Sequence, residues 1–270
     1  MPQPEQNPNR SAYRLAPDGS FRSTELTRGP WDPGHQHAGP PIALVSRSLA
    51  AMAEALGLRH VARLTANLVR PIPIAPLTVE TAIDHTGRNV VHLSARLLAD
   101  AREVARFTAV AQRDVEIAIH EPLEGHPLPL APQAPESSPP TPFPHRVGVV
   151  GYHDLVEFRS ARGTMFRGPS AVWFRLAFPI VEDSPPGPLE RVAVAADSGN
   201  GISAVLDFRR YTFVNTDLTI NLLRPAQGEW VCVEARTLVG PAGSGIAESN
   251  LYDAGGLIGR AAQTLLIRQR

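Results

Sequence analysis

The chain repeats itself at a constant spacing, and this repeat constrains the fold more than any other feature of the sequence. The segment 65–80, TANLVRPIPIAPLTVE, aligns without a gap with 219–234, TINLLRPAQGEWVCVE, and seven of the sixteen positions are identical. The two segments lie 154 residues apart. Internal repeats of this kind mark duplicated structural units. We therefore predict a tandem duplication of one unit that contains a helix and several strands.

The hydrophobic pattern gives each copy a helix followed by short strands. In the first copy, apolar residues recur at helical spacing after two prolines, and Gly57 follows the last of them: Ile42, Val45, Leu49, Met52 and Leu56. Proline in the first turn and glycine after the last turn are typical of helix ends. Alternating apolar and polar residues predict strands from Val61 to about Arg113 and from about Thr212 to the C-terminus.

A proline-rich segment separates the two copies. Nine of the positions from 121 to 144 are proline, and this composition is typical of an extended linker, because proline interrupts helices and central strands. We predict a disordered N-terminus at 1–10, an N-terminal domain at 11–118, a linker at 119–146 and a C-terminal domain at 147–270. A polyproline motif that binds a partner is the less favoured interpretation of the linker.

Composition excludes several classes of function. The 26 basic residues are all arginine and are balanced by 26 acidic residues, so charge gives no reason to expect nucleic acid or an anionic membrane as a partner. Without lysine, Schiff-base chemistry and a P-loop are excluded. The single Cys232 forms no intrachain disulfide, which is typical of a reducing compartment. With no signal-peptide pattern and no long apolar run, we expect a cytoplasmic protein.

The second copy has polar residues at positions where the first copy has small or apolar ones. Four such pairs follow from the spacing of the repeat: Asp197 with Ala43, Asn215 with Val61, Thr216 with Ala62 and Gln263 with Ala109. A buried polar group costs about 1–3 kcal/mol unless it finds a partner. We therefore expect these side chains to contact one another or a ligand. Random drift on an exposed surface is the alternative.

Asp197 lies in a predicted helix, 189–206, that contains two glycines. Gly199 and Gly201 follow the aspartate closely, and a glycine inside a helix costs about 1 kcal/mol relative to alanine. Close packing of this helix against a sheet, or access for a ligand beside it, would compensate for that cost.

Several short segments, in this order and spacing, resemble the acyl-CoA thioesterase II family and its thioesterase-like relatives. The segments are HAGPPIAL at 37–44, LVRP at 68–71, ADS at 196–198, LRP at 223–225 and AQT at 262–264. The resemblance covers nearly the whole chain, and no single segment is specific. It implies an α+β fold, the double hotdog, in which each half has a long helix packed on a curved antiparallel sheet and the two sheets are joined side by side.

The resemblance also implies an activity and a site. Members of this family hydrolyse acyl-CoA thioesters with an Asp on the second helix, a Thr or Ser, and a Gln. The Asp position falls on Asp197 and the Gln position on Gln263, whereas the Thr position falls on Asn215 with Thr216 beside it. We therefore expect Asp197, Asn215, Thr216 and Gln263 to be catalytic. Gly199, Gly201, His37 and Gly39 are expected to bind the substrate, and neither a metal nor a cofactor is expected.

Two classes of function remain open. The first is an acyl-CoA thioesterase. The second is a non-catalytic acyl-thioester binding protein on the same scaffold, which Asn215 keeps open because asparagine has no hydroxyl group. The nine histidines all lie at or before His153, which disfavours a histidine-assisted mechanism in the second copy. The chain is expected to be a monomer or a homo-oligomer.

Two arginines and two loop histidines have both a structural and a ligand-binding interpretation. Arg70 and Arg224 occupy equivalent positions of the repeat, which favours a structural role over contacts with CoA phosphates. His35 and His37 lie in one loop with no acidic or cysteine ligand predicted beside them, so a metal site there is disfavoured.

Overall fold

The computed structural model describes residues 10–118, 128–143 and 148–270. The first half contains one long helix and six strands: β1 (Tyr13–Leu15), β2 (Phe21–Ser23), α1 (Gly39–Ala55), β3 (His60–Leu68), β4 (Pro76–Thr86), β5 (Val90–Ala99) and β6 (Arg102–Gln112). The order of a helix followed by strands is the predicted one.

The second half has shorter helices and seven strands. Its elements are α2 (Tyr152–Leu155), β7 (Val156–Arg162), β8 (Ser170–Leu176), α3 (Pro188–Ala196), α4 (Gly199–Ile202), β9 (Tyr211–Asn215), β10 (Asp217–Leu222), β11 (Val231–Val239), β12 (Ser244–Asp253) and β13 (Gly256–Gln269). Two short 3₁₀ turns, Glu25–Thr27 and Pro135–Ser137, complete the secondary structure of the described residues.

The strands of both halves form one continuous antiparallel sheet. Its order is β1-β2-β4-β5-β6-β3-β10-β13-β12-β11-β8-β7, and β9 pairs with β13 beside this path. The order is symmetric about the β3–β10 pair, because strands that begin about 154 residues apart lie at equal distances from it: β6 and β13, β5 and β12, and β4 and β11. In that pair Thr65 lies opposite Thr219. The two halves are therefore related by an approximate twofold axis at this point, and their sheets join side by side.

The helices cover one face of this sheet. α1 contacts β3, β4, β5 and β6, and α3 contacts β8, β10, β11 and β12, while α1 and α3 also pack against each other. The main core lies between helices and sheet and includes Ile42, Leu49, Leu93, Phe107 and Val192, all fully buried. Burying a side chain of this size contributes about 1.5–3 kcal/mol. The helix–helix contact places the start of α1 beside the end of α3.

Helix α1 has the predicted ends. Its first turn contains Pro40 and Pro41, which have no amide N–H to leave unpaired at a helix start. Gly57 follows the helix with a φ of +75°, a conformation that glycine adopts without steric cost. The prediction for this helix is confirmed.

The prediction of one helix over 189–206 is wrong. α3 ends at Ala196, Asp197 and Ser198 form a turn, and a separate four-residue helix, α4, follows. The side chain of Gln263 donates to the carbonyl oxygen of Asp197 at 3.0 Å. In an uninterrupted helix the Asp197 carbonyl oxygen would accept a backbone N–H four residues later. Here it accepts the side-chain amide of Gln263 from β13 instead.

The predicted disordered segment 1–10 and parts of the linker, 119–127 and 144–147, lie outside the described residues, except for Arg10. The described part of the linker, 128–143, runs along β7 and β8 of the second half. The Gln133 carbonyl accepts a hydrogen bond from the Trp173 indole at 2.7 Å. The backbone at Pro140 pairs with that at Arg159 in an isolated antiparallel β-bridge. The domain boundaries stay a prediction.

Candidate active site

Asp197 is a buried carboxylate at the end of α3. It is the C-cap residue of that helix, and only 2% of its side chain is exposed. A carboxylate in such a place needs hydrogen-bond donors, because removing its charge from water is costly. Polar side chains from three separate parts of the chain reach it.

The two ends of the carboxylate have different partners. Asn215, at the end of β9, donates its Nδ2 to Asp197 Oδ1 at 2.8 Å. His37, in the loop before α1, has its Nδ1 2.9 Å from Asp197 Oδ2. Gln263 on β13 adds a longer contact, 3.4 Å from its Nε2 to Oδ1. The structure therefore brings together three predicted catalytic residues and one predicted binding residue.

Both the nitrogen and the oxygen of the Gln263 side-chain amide form hydrogen bonds. Its Nε2 faces the carbonyl and carboxylate of Asp197, and its Oε1 accepts the backbone N–H of Asn200 at 2.9 Å. This side chain is buried and connects the end of α3 to the first turn of α4. Its contacts fix the position of Asp197 relative to the sheet.

Thr216 does not reach this cluster. Its side chain is exposed, and its hydroxyl lies 3.3 Å from the Thr264 carbonyl and 3.5 Å from Asp217 Oδ1. Successive residues of an extended chain point to opposite sides, so Asn215 and Thr216 cannot both face Asp197. Of these two neighbours, the structure places Asn215 against the carboxylate.

His37 connects the two halves of the chain at this point. The ring stacks on the Tyr152 ring with centroids 3.7 Å apart and planes 4° apart. Its Nδ1 also lies 3.1 Å from the backbone N–H of Gly39. A protonated Nδ1 donates to Asp197, whereas a deprotonated Nδ1 accepts from Gly39, so this nitrogen serves one partner at a time.

A histidine of the first half lies at the site of the second half, so the positions of the histidines in the sequence do not keep histidine away from Asp197. No histidine follows His153 in the sequence, yet His37 of the first half contacts Asp197 of the second half. The packing of α1 against α3 brings them together. The other loop histidine, His35, instead pairs with Asp32 at 3.0 Å.

Tyr152 is a site residue that the sequence analysis missed. Its hydroxyl lies 2.8 Å from Ser198 Oγ and 3.1 Å from the Val194 carbonyl. Burial raises the pKa of this tyrosine well above its usual value, so it stays neutral and supports the His37 ring. No sequence signal marked it, because it stands alone in a four-residue helix, α2.

The predicted glycines occupy tight places in the structure. A Cβ on Gly199 would lie 2.8 Å from Ser249 Oγ and 3.3 Å from Gln263 Oε1, and a Cβ on Gly39 would lie 3.2 Å from the Val194 carbonyl oxygen. Gly199 therefore allows α4 to approach the sheet, and Gly39 allows α1 to approach α3. Gly201 is different, since the nearest atom to its Cβ would be in Phe166, at 3.8 Å.

Arg70 and Arg224 both bind groups of the protein. Arg224 forms a two-pronged ion pair with the buried Asp253, with N–O distances of 2.5 and 2.7 Å, and Arg70 donates to the Glu103 carbonyl. These contacts support the predicted structural role. Among residues 10–118, 128–143 and 148–270, no three His, Cys, Asp or Glu side chains are grouped to hold a metal ion. In the same ranges, no helix has the length and apolarity needed to span a membrane.

Two family models match the chain, one for each half. Residues 27–112 match the N-terminal domain of acyl-CoA thioesterases, and residues 135–267 match their C-terminal domain. The second match begins within the predicted linker, at the 3₁₀ turn that packs beside β7. No curated protein has a sequence that matches this chain.

Solved structures with a similar fold cover nearly the whole chain. A candidate thioesterase II from Thermobifida fusca is 17% identical, with 99% of each chain covered and a TM-score of 0.73. A hotdog-fold protein of unknown function from Alicyclobacillus acidocaldarius is 18% identical, with 92% of each chain covered and a TM-score of 0.71. An acyl-CoA thioesterase II from Mycobacterium marinum is 14% identical, covers 96% of this chain and 95% of its own, and has a TM-score of 0.64. These likenesses show the hotdog fold, and the joined sheets are consistent with a double hotdog.

Proposed function

Because the chain belongs to the acyl-CoA thioesterase family, whose N- and C-terminal domain models it matches, we propose that it hydrolyses acyl-CoA to a free acid and CoA. The observation that carries this proposal is the buried Asp197 carboxylate, which has Asn215 at one oxygen and His37 at the other. Such a group, held in place before substrate binds, suits a general base.

In the proposed reaction, Asp197 accepts a proton from a water that attacks the thioester carbonyl carbon. The side-chain amide of Asn215, which donates one hydrogen bond to Asp197, also binds this water. Gln263 on β13 holds Asp197 in place through its side-chain amide. The tetrahedral intermediate then collapses, the carbon–sulfur bond breaks, and the CoA thiolate takes up the proton. The products are the carboxylic acid and the CoA thiol.

Stabilisation of the oxyanion is assigned to a backbone amide near α4. Gly199, Asn200 and Gly201 form its first turn, where N–H groups have no partner within the helix. Gln263 takes the N–H of Asn200, and the contacts around Gly199 are tight. We therefore favour the Gly201 N–H as the donor to the thioester carbonyl oxygen.

The second candidate function is a non-catalytic acyl-thioester binding protein. Asn215 favours it, because the resemblance implies a hydroxyl group at this position and asparagine has none. The two candidates differ in turnover, since both bind CoA esters and only the thioesterase releases free thiol.

The test is thiol release from a series of acyl-CoAs, with wild type, Asp197→Asn and Asp197→Ala. We expect both variants to lose at least about 100-fold in kcat, the usual contribution of a general base. Asp217→Asn is the matched control, since Asp217 lies close in sequence to Asn215 and accepts the Thr264 N–H, which asparagine can also accept. Cys232 adds little background, because it is buried and burial raises the pKa of its thiol.

Full activity in Asp197→Asn would exclude this residue as the base. Absence of thiol release from every substrate, together with saturable binding of CoA esters, would favour the binding protein.

A further inference from the structure

His37 belongs to the first half of the chain, yet its imidazole contacts the Asp197 carboxylate of the second half. Its Nδ1 lies 2.9 Å from Asp197 Oδ2, and the two side chains are only 16% and 2% exposed. An ionised carboxylate can only accept, so a hydrogen bond at this distance requires the proton on Nδ1. In that tautomer His37 donates to Asp197, and its Nδ1 no longer accepts the N–H of Gly39, which lies 3.1 Å away.

The two oxygens of Asp197 differ in how many side chains reach them. Oδ1 faces two amide nitrogens, Asn215 Nδ2 at 2.8 Å and Gln263 Nε2 at 3.4 Å. Oδ2 faces the His37 imidazole. Each carboxylate oxygen has two lone pairs that can accept a hydrogen bond, and no side chain in the described part of the chain uses the second lone pair of Oδ2. The oxygen best placed to accept a proton is therefore the one beside His37.

The ring of His37 is held by the same helix end that carries Asp197. It stacks on the Tyr152 ring, with centroids 3.7 Å apart and planes 4° apart. The Tyr152 hydroxyl in turn lies 3.1 Å from the Val194 carbonyl and 2.8 Å from Ser198 Oγ. Val194 and Ser198 lie on either side of Asp197 in the sequence. A closed set of contacts therefore fixes the imidazole relative to the carboxylate.

These contacts leave little of the His37 side chain for a substrate, because Asp197 takes its Nδ1 and Tyr152 covers one face of its ring. The contact with Asp197 also has no equivalent elsewhere in the repeat. The spacing of 154 residues pairs Asp197 with Ala43 and His37 with Arg191. The side chain of alanine accepts no hydrogen bond, so the chain forms this pair once.

We infer that His37 is a positioning residue that acts through Asp197, rather than a residue that binds the substrate. It donates from Nδ1 to Oδ2, fixes the plane of the carboxylate together with Asn215, and leaves the second lone pair of Oδ2 to take the proton of the attacking water. The inference rests on the proposed function, because it assigns the base oxygen of that reaction. It also gives the first half of the chain a part in a centre whose other members come from the second half.

Three replacements of His37 separate the role of its nitrogen from that of its ring. His37→Asn keeps a donor, because the amide nitrogen of asparagine is as many bonds from the backbone as Nδ1. His37→Phe keeps a ring to stack on Tyr152 and has no donor, and His37→Ala has neither. In thiol release from acyl-CoAs, we expect kcat to fall about 100-fold in the Phe and Ala variants, as for a base displaced by about 1 Å, and to recover at least about tenfold in the Asn variant.

A positioning residue affects turnover and leaves binding unchanged. Affinity is measured by calorimetry with alkyl-CoA thioethers, which have no scissile carbonyl, and we expect it to change by less than about threefold in all three variants. His35→Asn is the matched control with wild-type kcat, since His35 lies in the same loop and pairs with Asp32 instead. Adding His37→Ala to Asp197→Asn should lower kcat by no more than about twofold further, because the base is already lost.

Three results would overturn the inference. Weaker thioether binding with unchanged kcat would make His37 a substrate-binding residue, and higher activity in His37→Phe than in His37→Asn would give the ring a packing role. Effects of His37→Ala and Asp197→Asn that multiply would show that the two residues act separately. A wild type that releases no thiol from any acyl-CoA would instead refute the proposed function. The coupling of His37→Ala with Asp197→Asn in urea denaturation would then decide whether His37 holds Asp197.

Discussion

Thr65 and Thr219, one from each half of the chain, lie opposite each other in the antiparallel β3–β10 pair with their Oγ1 atoms 3.2 Å apart. They occupy the same position of the repeat, so the approximate twofold axis passes between them. Each threonine meets its own counterpart, and their side-chain hydrogen bond adds to the backbone pairing of β3 with β10 that joins the two halves.

Replacing either threonine alone should cost more than replacing both. Thr65→Val or Thr219→Val leaves the other hydroxyl without its partner, and we expect each to lower the free energy of unfolding by about 0.5–1.5 kcal/mol. The double variant should be close to wild type, because two apolar groups of the same shape then face each other. Urea denaturation of all four proteins measures the coupling. Additive single effects would contradict a direct bond.

Gly199 and Gly201 should respond in opposite ways to alanine. The Cβ of Gly199→Ala would lie 2.8 Å from Ser249 Oγ, and we expect a loss of about 1–3 kcal/mol of stability. Gly201→Ala, with 3.8 Å to the nearest atom, should be neutral or up to about 1 kcal/mol more stable. Thermal unfolding of both variants tests this pair. Adding Ser249→Ala to Gly199→Ala should restore part of the loss, and equal effects of the two glycine variants would refute the packing explanation.

Asn215→Asp should impair the site without unfolding the protein. The new carboxylate would face Asp197 Oδ1 across the 2.8 Å that an amide N–H now bridges, and two carboxylates at this distance cannot both stay ionised at low cost. We expect kcat/KM to fall by at least about tenfold. Asn215→Thr, which supplies the hydroxyl that the resemblance implies, should keep activity within about tenfold of wild type. Undiminished activity in Asn215→Asp would mean that Asn215 does not act through Asp197.

Asp253 should make stability fall in acid. Burial raises its pKa, but hydrogen bonds from Arg224 and from the backbone N–H groups of Gln227 and Gly255 lower it more, so the net shift is downward. A carboxyl with a lowered pKa in the folded state contributes stability above the unfolded pKa, near 3.9, and loses it as pH falls through the folded pKa.

The comparison of wild type with Asp253→Asn isolates this contribution. We expect the variant to lose about 2–4 kcal/mol at pH 7, because Arg224 then lacks a charged partner, and the difference should shrink as the pH falls below about 4. Denaturation across pH 3–7 measures it. A difference that stays constant over this range would exclude the ionised Asp253 as its source.

The duplication of a helix followed by strands was predicted from the repeat, because a constant spacing reports on many elements at once, whereas the joining of the two sheets was implied by the family resemblance. β5 (Val90–Ala99) and β12 (Ser244–Asp253) are 154 residues apart at both ends. The break after Ala196 did not follow, since it depends on Gln263, which is 66 residues away in sequence. Local periodicity cannot detect such a competitor for a backbone carbonyl.

The candidate site was predictable in part for the same reason. Asp197, Asn215 and Gln263 stood out against their counterparts in the first copy, because a polar residue at an apolar position demands a partner. His37 and Tyr152 were not marked by a difference between the two copies of the repeat. Their contacts with the site arise from the packing of α1, α2 and α3. Neighbouring residues of a strand face opposite sides, so a shift of one residue in β9 decides whether Asn215 or Thr216 faces Asp197. The sequence does not fix the position of the strand that closely.

The counterparts of the site residues in the first half, Ala43, Val61 and Ala109, are all buried in an apolar core. In a dimer of two identical subunits, every substitution is present in both subunits. A polar residue that serves the chemistry of one subunit therefore also disturbs the apolar packing at the equivalent position of the other. Joining the copies in one polypeptide removes that obligation. For the proposed thioesterase we therefore expect one reaction centre per pair of hotdog units, and titration with a tight-binding substrate analogue should saturate at one equivalent per chain.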